Sequence, residues 1–272
     1  MVEITRPDVD ILKTALSGQC FRMNRQEDGS FLAVAKDKAV KIIQNGDNIR
    51  FLCGEKEFSS FWEPYFDLSC DYEEHHKKIP KDDAFLRAAK DYSFGIRILK
   101  QDPWETLISF IISQRKNIPA IKSSIEKLCR MFGEKIPGFE CFGFPSPESL
   151  ANAEDEELSA CSLGYRVPYV KKTAQMVASG NVSLQELSKL DDENLFKSLC
   201  VFPGVGKKVA NCVMLFAYRR TEAFPRDVWI LRMEKEHYNG HFDETHYGGS
   251  AGLMQQYMFY FGKSEEYKQL FG

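Results

Sequence analysis

Two glycines one residue apart, set behind a proline, constrain this chain more than any other feature. Pro203-Gly204-Val205-Gly206 stands between a stretch bearing Leu195, Phe196 and Leu199 and a stretch that opens at Lys207. Glycine permits left-handed backbone and close approach of a second backbone, so the chain turns sharply here. Asp191 or Asp192 caps the first stretch as a helix. The turn then joins two helices over about 192–218. The first amides of the second helix have no partner within it, which suits a phosphate. An ordinary αα-turn has the same pattern. A nucleotide-binding P-loop is excluded. That motif needs Gly five residues before the second Gly and Ser or Thr after the Lys, and the chain has Val201 and Lys208 there.

Lys208 falls in the first turn of the second helix. The positive helix end and neighbouring Lys207 disfavour charge on it. A lysine in that setting is a nucleophile able to form a Schiff base. Cys212, four residues on, shares its face. Asp227 follows Lys208 by 19 residues and precedes Val228-Trp229-Ile230-Leu231. It reads as an N-cap that stays ionised, and a fixed carboxylate stabilises a cation developing nearby. The spacing alone also fits a surface lysine and a plain cap.

The rest of the chain reads as α+β. Residues 1–90 carry an antiparallel β-sheet domain with flanking helices, and residues 91–272 a helical region holding the helix-hairpin-helix. Asp8–Leu12 reads as a short extended segment. Phe31–Ala35, Ala39–Ile43 and Ile49–Cys53 read as strands parted by turns at Asp28-Gly29 and Asn45-Gly46-Asp47. Phe58, Phe61, Trp62 and Tyr65 share a helical face. Asp102-Pro103-Trp104-Glu105 starts a helix with an Asp cap and a proline at its first position. Ile118, Ile121, Ile125, Leu128 and Phe132 form an amphipathic stripe. A further helix runs from Ser146-Pro147 through Leu158. Another follows the break at Ser162–Arg166 and stops at Gly180.

At 272 residues, the chain is long enough for roughly two domains of about 150 residues. No apolar run approaches the ~20 residues of a membrane span. The opening MVEITRPDVD lacks an apolar signal segment, and the eight cysteines form no CxxC. A reducing, intracellular, bacterial-type cytoplasmic setting follows, with no metal and no redox cofactor. The net charge of −3 argues mildly against a nucleic-acid partner. Distribution reverses this locally: Val201–Lys235 holds seven Lys or Arg against three acids.

FPGVGKKVANC, with PRDV placing Asp227 after it, resembles the helix-hairpin-helix signature of base-excision DNA glycosylases. Ser17-Gly18-Gln19-Cys20-Phe21-Arg22, Asp102-Pro103 leading to Ser109-Phe110-Ile111, Leu163-Gly164-Tyr165-Arg166, and Ala251-Gly252 with Gln255 and Phe259 narrow the resemblance to the 8-oxoguanine DNA glycosylase family. The resemblance implies a monomer acting on duplex DNA that contains an oxidised guanine. It implies Lys208 as nucleophile at C1′ and Asp227 as the carboxylate beside the sugar cation. Cys212 and Phe259 would sandwich the flipped base, Gln255 would read its Watson–Crick edge, and the Gly18 carbonyl would accept the N7 hydrogen that guanine lacks. Tyr165 and Arg166 correspond to the wedge and the reader of the opposite base. Gly204, Gly206 and Lys207 would hold the backbone.

Three departures stand out. Eukaryotic members carry an asparagine run where this chain has Arg115-Lys116-Asn117, and only Asn117 fits it; Arg115 is expected to fill the orphan-base space. A second cytosine-reading arginine is replaced by Ala120, which points to a relaxed preference for the opposite base. A histidine two residues past the aspartate is replaced by Trp229, so the phosphate contact that the resemblance implies there does not carry over to this chain. A related glycosylase for another damaged purine, such as an alkylated one, and a non-catalytic DNA-binding module are the alternatives. Gly18, Gln255 and Phe259 argue against the first, and the Lys208–Asp227 pairing against the second.

Overall fold

The structure is a computed structural model and describes residues 1–271. Near the N-terminus lies an antiparallel sheet of β1 (Val2–Thr5), β2 (Met23–Arg25), β3 (Phe31–Ala35), β4 (Lys38–Asn45) and β5 (Asn48–Phe51). The strand order is β1-β5-β4-β3-β2. Gly29 and Gly46 turn the chain with positive φ, 82° and 59°, which only a residue without Cβ adopts freely. The register sets Ile42 opposite Phe31 and Val40 opposite Ala33. Ile42, Val40, Ile49 and Phe51 are fully buried.

The sheet and the helical remainder are the α+β architecture expected from the sequence. Two local readings need correction. Asp8–Leu12 is not an extended segment. The Asp10 carboxylate accepts from the Lys13 amide at 2.8 Å and caps α1 (Ile11–Leu16), so a side-chain cap overrides the β-branched content. The helix expected from Ser146 through Leu158 is two helices, Pro147–Ala151 and Asp155–Ala160. Glu154 and Glu157 close a capping box that restarts the second.

The principal helices are α2 (Ala84–Ser93), α3 (Pro103–Ser113), α4 (Ile118–Phe132), α5 (Val167–Ala178), α6 (Asp192–Leu199), α7 (Lys207–Phe216), α8 (Val228–His237) and α9 (Ala251–Gly262). Asp102 caps α3 through the Trp104 and Glu105 amides, each at 3.0 Å. Every residue from Trp104 to Ile112 is buried, as expected of a helix apolar nearly all round. Among the described residues no helix is long and apolar enough to cross a membrane.

The chain divides into two compact units. One comprises Met1–Gln19, Ile43–Lys100 and Met214–Gly272; the other comprises Cys20–Ile42 and Gln101–Val213. In the first, α9 packs along α2. Its core holds a fully buried Arg97, which lies 3.6 Å over the Tyr72 ring and donates to Asp8 at 3.0 Å and to the Cys70 carbonyl at 2.6 Å. A buried guanidinium is tolerated because a carboxylate, backbone carbonyls and an aromatic face replace its water. In the second unit, the buried Arg22 donates to Glu126 at 3.1 Å and lies 3.8 Å from Glu105.

Candidate active site

The hairpin of the second unit is built as its glycines require. Gly204 has φ 79°, and a Cβ there would fall 2.6 Å from Cδ2 of Tyr169. Gly206 has no atom within 4 Å of its missing Cβ. The first glycine therefore serves the turn, and the second leaves a bare, exposed backbone. Helix α7 begins immediately, with the Ala210 amide donating to the Gly206 carbonyl at 2.9 Å. Lys207 is exposed and Lys208 half-buried. The Lys208 ammonium sits 5.0 Å from the centroid of the Phe110 ring. Cys212, one turn on, is buried.

In the first unit, Asp227 caps α8. Its Oδ1 accepts from the Trp229 and Ile230 amides at 3.0 Å each, which fixes the carboxylate and directs a helix N-terminus at it. Trp229 is half-buried. The adjacent Arg226 is held by Glu234 at 2.8 Å and Glu244 at 2.6 Å, so the turn into α8 is anchored on both sides.

Helix α9 supplies the apolar part of this unit's site. Gly18 has φ 76°, and a Cβ there would fall 2.8 Å from Cε1 of Phe259. Gln255 is buried; its Nε2 donates to the Pro225 carbonyl at 3.1 Å. Lys263, one turn beyond Phe259, places its ammonium 4.6 Å from that ring. Burial pushes the Lys263 pKa down, and the Asp227 carboxylate pulls it back up. The unit thus brings Gly18, Phe259, Lys263, Gln255 and Asp227 into one neighbourhood. Lys263 was missed from the sequence, although its spacing of four from Phe259 on a helix is a usable signal.

Two loops of the second unit form a separate cluster. Arg115 and Ser162 both have left-handed backbone, with φ 52° and 61°, which costs about 1–3 kcal/mol per residue outside glycine and persists only when neighbours hold it. Neighbours do. Lys116 Nζ donates to the Ser162 carbonyl at 2.5 Å and to Ser124 Oγ at 2.6 Å. Arg166 returns the contact, donating to the carbonyls of Gln114 and, at 3.1 Å, Leu163. Arg166 is buried beneath Tyr165, whose ring lies 4.3 Å above its guanidinium and is 51% exposed. Asn117 caps α4 through the Ala120 amide at 2.9 Å. Arg115 is exposed. Burial and the like charges of Arg166 and Lys127 push the Lys116 pKa down.

Comparison with known proteins decides the family. Residues 1–107 match the family described as 8-oxoguanine DNA glycosylase, N-terminal domain, and residues 108–247 match the HhH-GPD superfamily of base excision DNA repair proteins. The chain belongs to the 8-oxoguanine DNA glycosylase family. It is 32% identical over 225 residues to the probable N-glycosylase/DNA lyase of Methanothermobacter thermautotrophicus, covering 71% of each chain. It is also 32% identical over 245 residues to the N-glycosylase/DNA lyase of Saccharomyces cerevisiae, covering 83% of this chain and 63% of the yeast protein. The solved structure of the Clostridium acetobutylicum 8-oxoguanine glycosylase/lyase with duplex DNA containing cytosine opposite 8-oxoguanine superposes with a TM-score of 0.88 at 33% identity, covering 94% of this chain and 92% of that one.

Proposed function

We propose that this chain excises 8-oxoguanine from duplex DNA and then nicks the abasic strand. The damaged nucleotide is turned out of the helix, as base-modifying enzymes require. The neutral amine of Lys208 attacks C1′ while the C1′–N9 bond breaks and its electrons leave with the purine. The Asp227 carboxylate stabilises the positive charge on the sugar. The sugar ring opens to a Schiff base with Lys208. Loss of a C2′ proton then expels the 3′ phosphate, and water releases the lysine. No metal or redox cofactor enters the scheme.

The observation that carries this reading is the approach of Gly18 to Phe259, where no side chain fits. A bare backbone carbonyl beside an aromatic wall suits the N7 hydrogen of 8-oxoguanine, whereas guanine would present a lone pair there. A buried mismatch of that kind costs about 1–3 kcal/mol. Cys212 is proposed as the facing wall and Gln255 as reader of the Watson–Crick edge. Gly204, Gly206 and Lys207 would hold the phosphate backbone at the hairpin.

Selectivity for the opposite base is proposed to be relaxed. Ala120 offers no donor to a cytosine, and Arg166 is already engaged by the Gln114 and Leu163 carbonyls. Tyr165 remains exposed as the wedge, with Arg115 and Asn117 beside the orphan-base space. Excision rates for 8-oxoguanine opposite C, A, G and T, with undamaged guanine as control, test both parts. Similar rates opposite several bases and none on guanine are expected. A strong preference for cytosine would overturn the relaxed selectivity, and absence of any excision would overturn the activity.

A further inference from the structure

Gln255 and Gln256 are adjacent on α9, and each is only 3% exposed. Gln255 Nε2 donates to the Pro225 carbonyl at 3.1 Å, and Gln255 Oε1 accepts from Gln256 Nε2 at 2.9 Å. The two ends of a glutamine amide differ in whether they donate or accept, so a partner of fixed chemistry decides between them. The Pro225 carbonyl can only accept. It takes the NH2 end of Gln255, which turns the Gln255 oxygen toward Gln256, which must then present its own NH2 end. The Gln256 oxygen is left buried without a hydrogen-bond partner. Its side chain thus supplies a donor to Gln255 while its own acceptor goes unanswered.

We infer that Gln256 is a positioning residue that holds the amide of Gln255 from its oxygen end, in the sense the Pro225 carbonyl sets, and so sharpens which purine edge the site accepts. This rests on Gln255 as the edge reader proposed above. Locked as seen, Gln255 keeps one N–H and one oxygen lone pair for the base, in a fixed sense. A guanine-type edge offers an acceptor at position 6 and donors at N1 and the 2-amino group. An adenine-type edge reverses the first two. A base takes the second Gln255 N–H while Pro225 keeps the first, and Gln256 holds the amide from its oxygen end. Were Gln255 to turn over, its oxygen would face the Pro225 carbonyl oxygen, which is the reason reversal is disfavoured.

The test is a double-mutant cycle read by kcat and KM on duplexes carrying 8-oxoguanine or 8-oxoadenine, with thermal midpoints recorded for each variant. Gln256→Met keeps the volume and removes the donor. It is expected to raise KM for 8-oxoguanine about tenfold and to narrow the ratio of 8-oxoguanine to 8-oxoadenine excision, an effect of the size of one lost hydrogen bond. In a Gln255→Ala background the same change is expected to do nothing more, since residues acting through one another are non-additive. Gln256→Leu, which likewise offers no donor, is expected to narrow the ratio as the methionine does; if it does not fold, the methionine cycle decides alone. Additive losses, or an unchanged ratio in Gln256→Met, overturn the inference while leaving the activity standing. A wild type that excises no 8-oxoguanine overturns the functional reading and this inference with it.

Discussion

Gly18 and Phe259 approach so closely that a Cβ on the glycine would lie 2.8 Å from the ring. The glycine also has φ 76°. Any side chain at residue 18 is therefore opposed twice, once by the ring and once by its own backbone. Gly18→Ala is expected to lower stability by about 1–3 kcal/mol, the usual penalty for a strained non-glycine backbone. Excision of 8-oxoguanine is expected to fall further than the loss of folded protein explains. Comparing the thermal midpoint with single-turnover excision well below it separates the two effects. Full activity in a stable alanine variant would remove Gly18 from the site.

Asp227 serves two purposes that substitution can separate. Asparagine is as good an N-cap as aspartate, so Asp227→Asn is expected to fold normally. Losing the charge beside the sugar is expected to slow excision by about 10²–10³-fold, as for removal of other preorganised electrostatic groups. Asp227→Ala is expected to lose the cap as well, at about 1 kcal/mol. Unchanged excision in Asp227→Asn would refute the catalytic role.

The Arg22–Glu105 region gives a prediction about pH. Burial raises the Glu105 carboxyl to about 7, more than the opposing Arg22 charge and the Lys36 amide lower it. The folded chain thus keeps a proton on Glu105 between its unperturbed value, near 4.5, and about 7, whereas the unfolded chain has lost it. When the native state binds more protons, stability falls as pH rises. The thermal midpoint is expected to drop from pH 5 to pH 7, by an amount on the order of 1–3 kcal/mol in stability. Glu105→Gln is expected to flatten that slope. A slope identical in wild type and variant would show that Glu105 does not titrate in this window.

Lys116 ties its own loop to the Ser162 carbonyl, and Arg166 ties the Ser162 loop back to Gln114. Lys116→Met removes one of these two clips at a partly solvent-exposed position. It is expected to leave the thermal midpoint within a few degrees and to change the relative excision rates opposite C and A by severalfold, since surface changes rarely move stability much. Unaltered ratios would separate this loop from opposite-strand recognition.

Much of this was legible in the residues. Asp102, Asp191 and Asp227 cap helices where their sequence context indicated, because a cap needs only its own carboxylate and the next three amides. Strands β1 and β2 were not foreseen. They are four and three residues long and exist through pairing with β5 and β3, a nonlocal cause that short segments do not advertise. The same holds at the site. Gly18 and Gln255 were found through family motifs. The Lys263 ammonium over Phe259 had only its spacing of four to announce it, and the Gln256 donor to Gln255 depends on a rotamer that no spacing rule supplies. Gly204 and Gly206 read alike in sequence, yet only Gly204 has positive φ.

The claim on which the rest depends is that Lys208 is the nucleophile. Borohydride reduction during reaction with a duplex bearing one 8-oxoguanine tests it directly. Wild type is expected to form a covalent protein–DNA adduct that survives denaturation, and Lys208→Gln, which keeps the helix but has no amine, is expected to form none. An undiminished adduct in the glutamine variant would assign the chemistry to another amine, and a wild type that releases the base without ever being trapped would mean that no Schiff base forms.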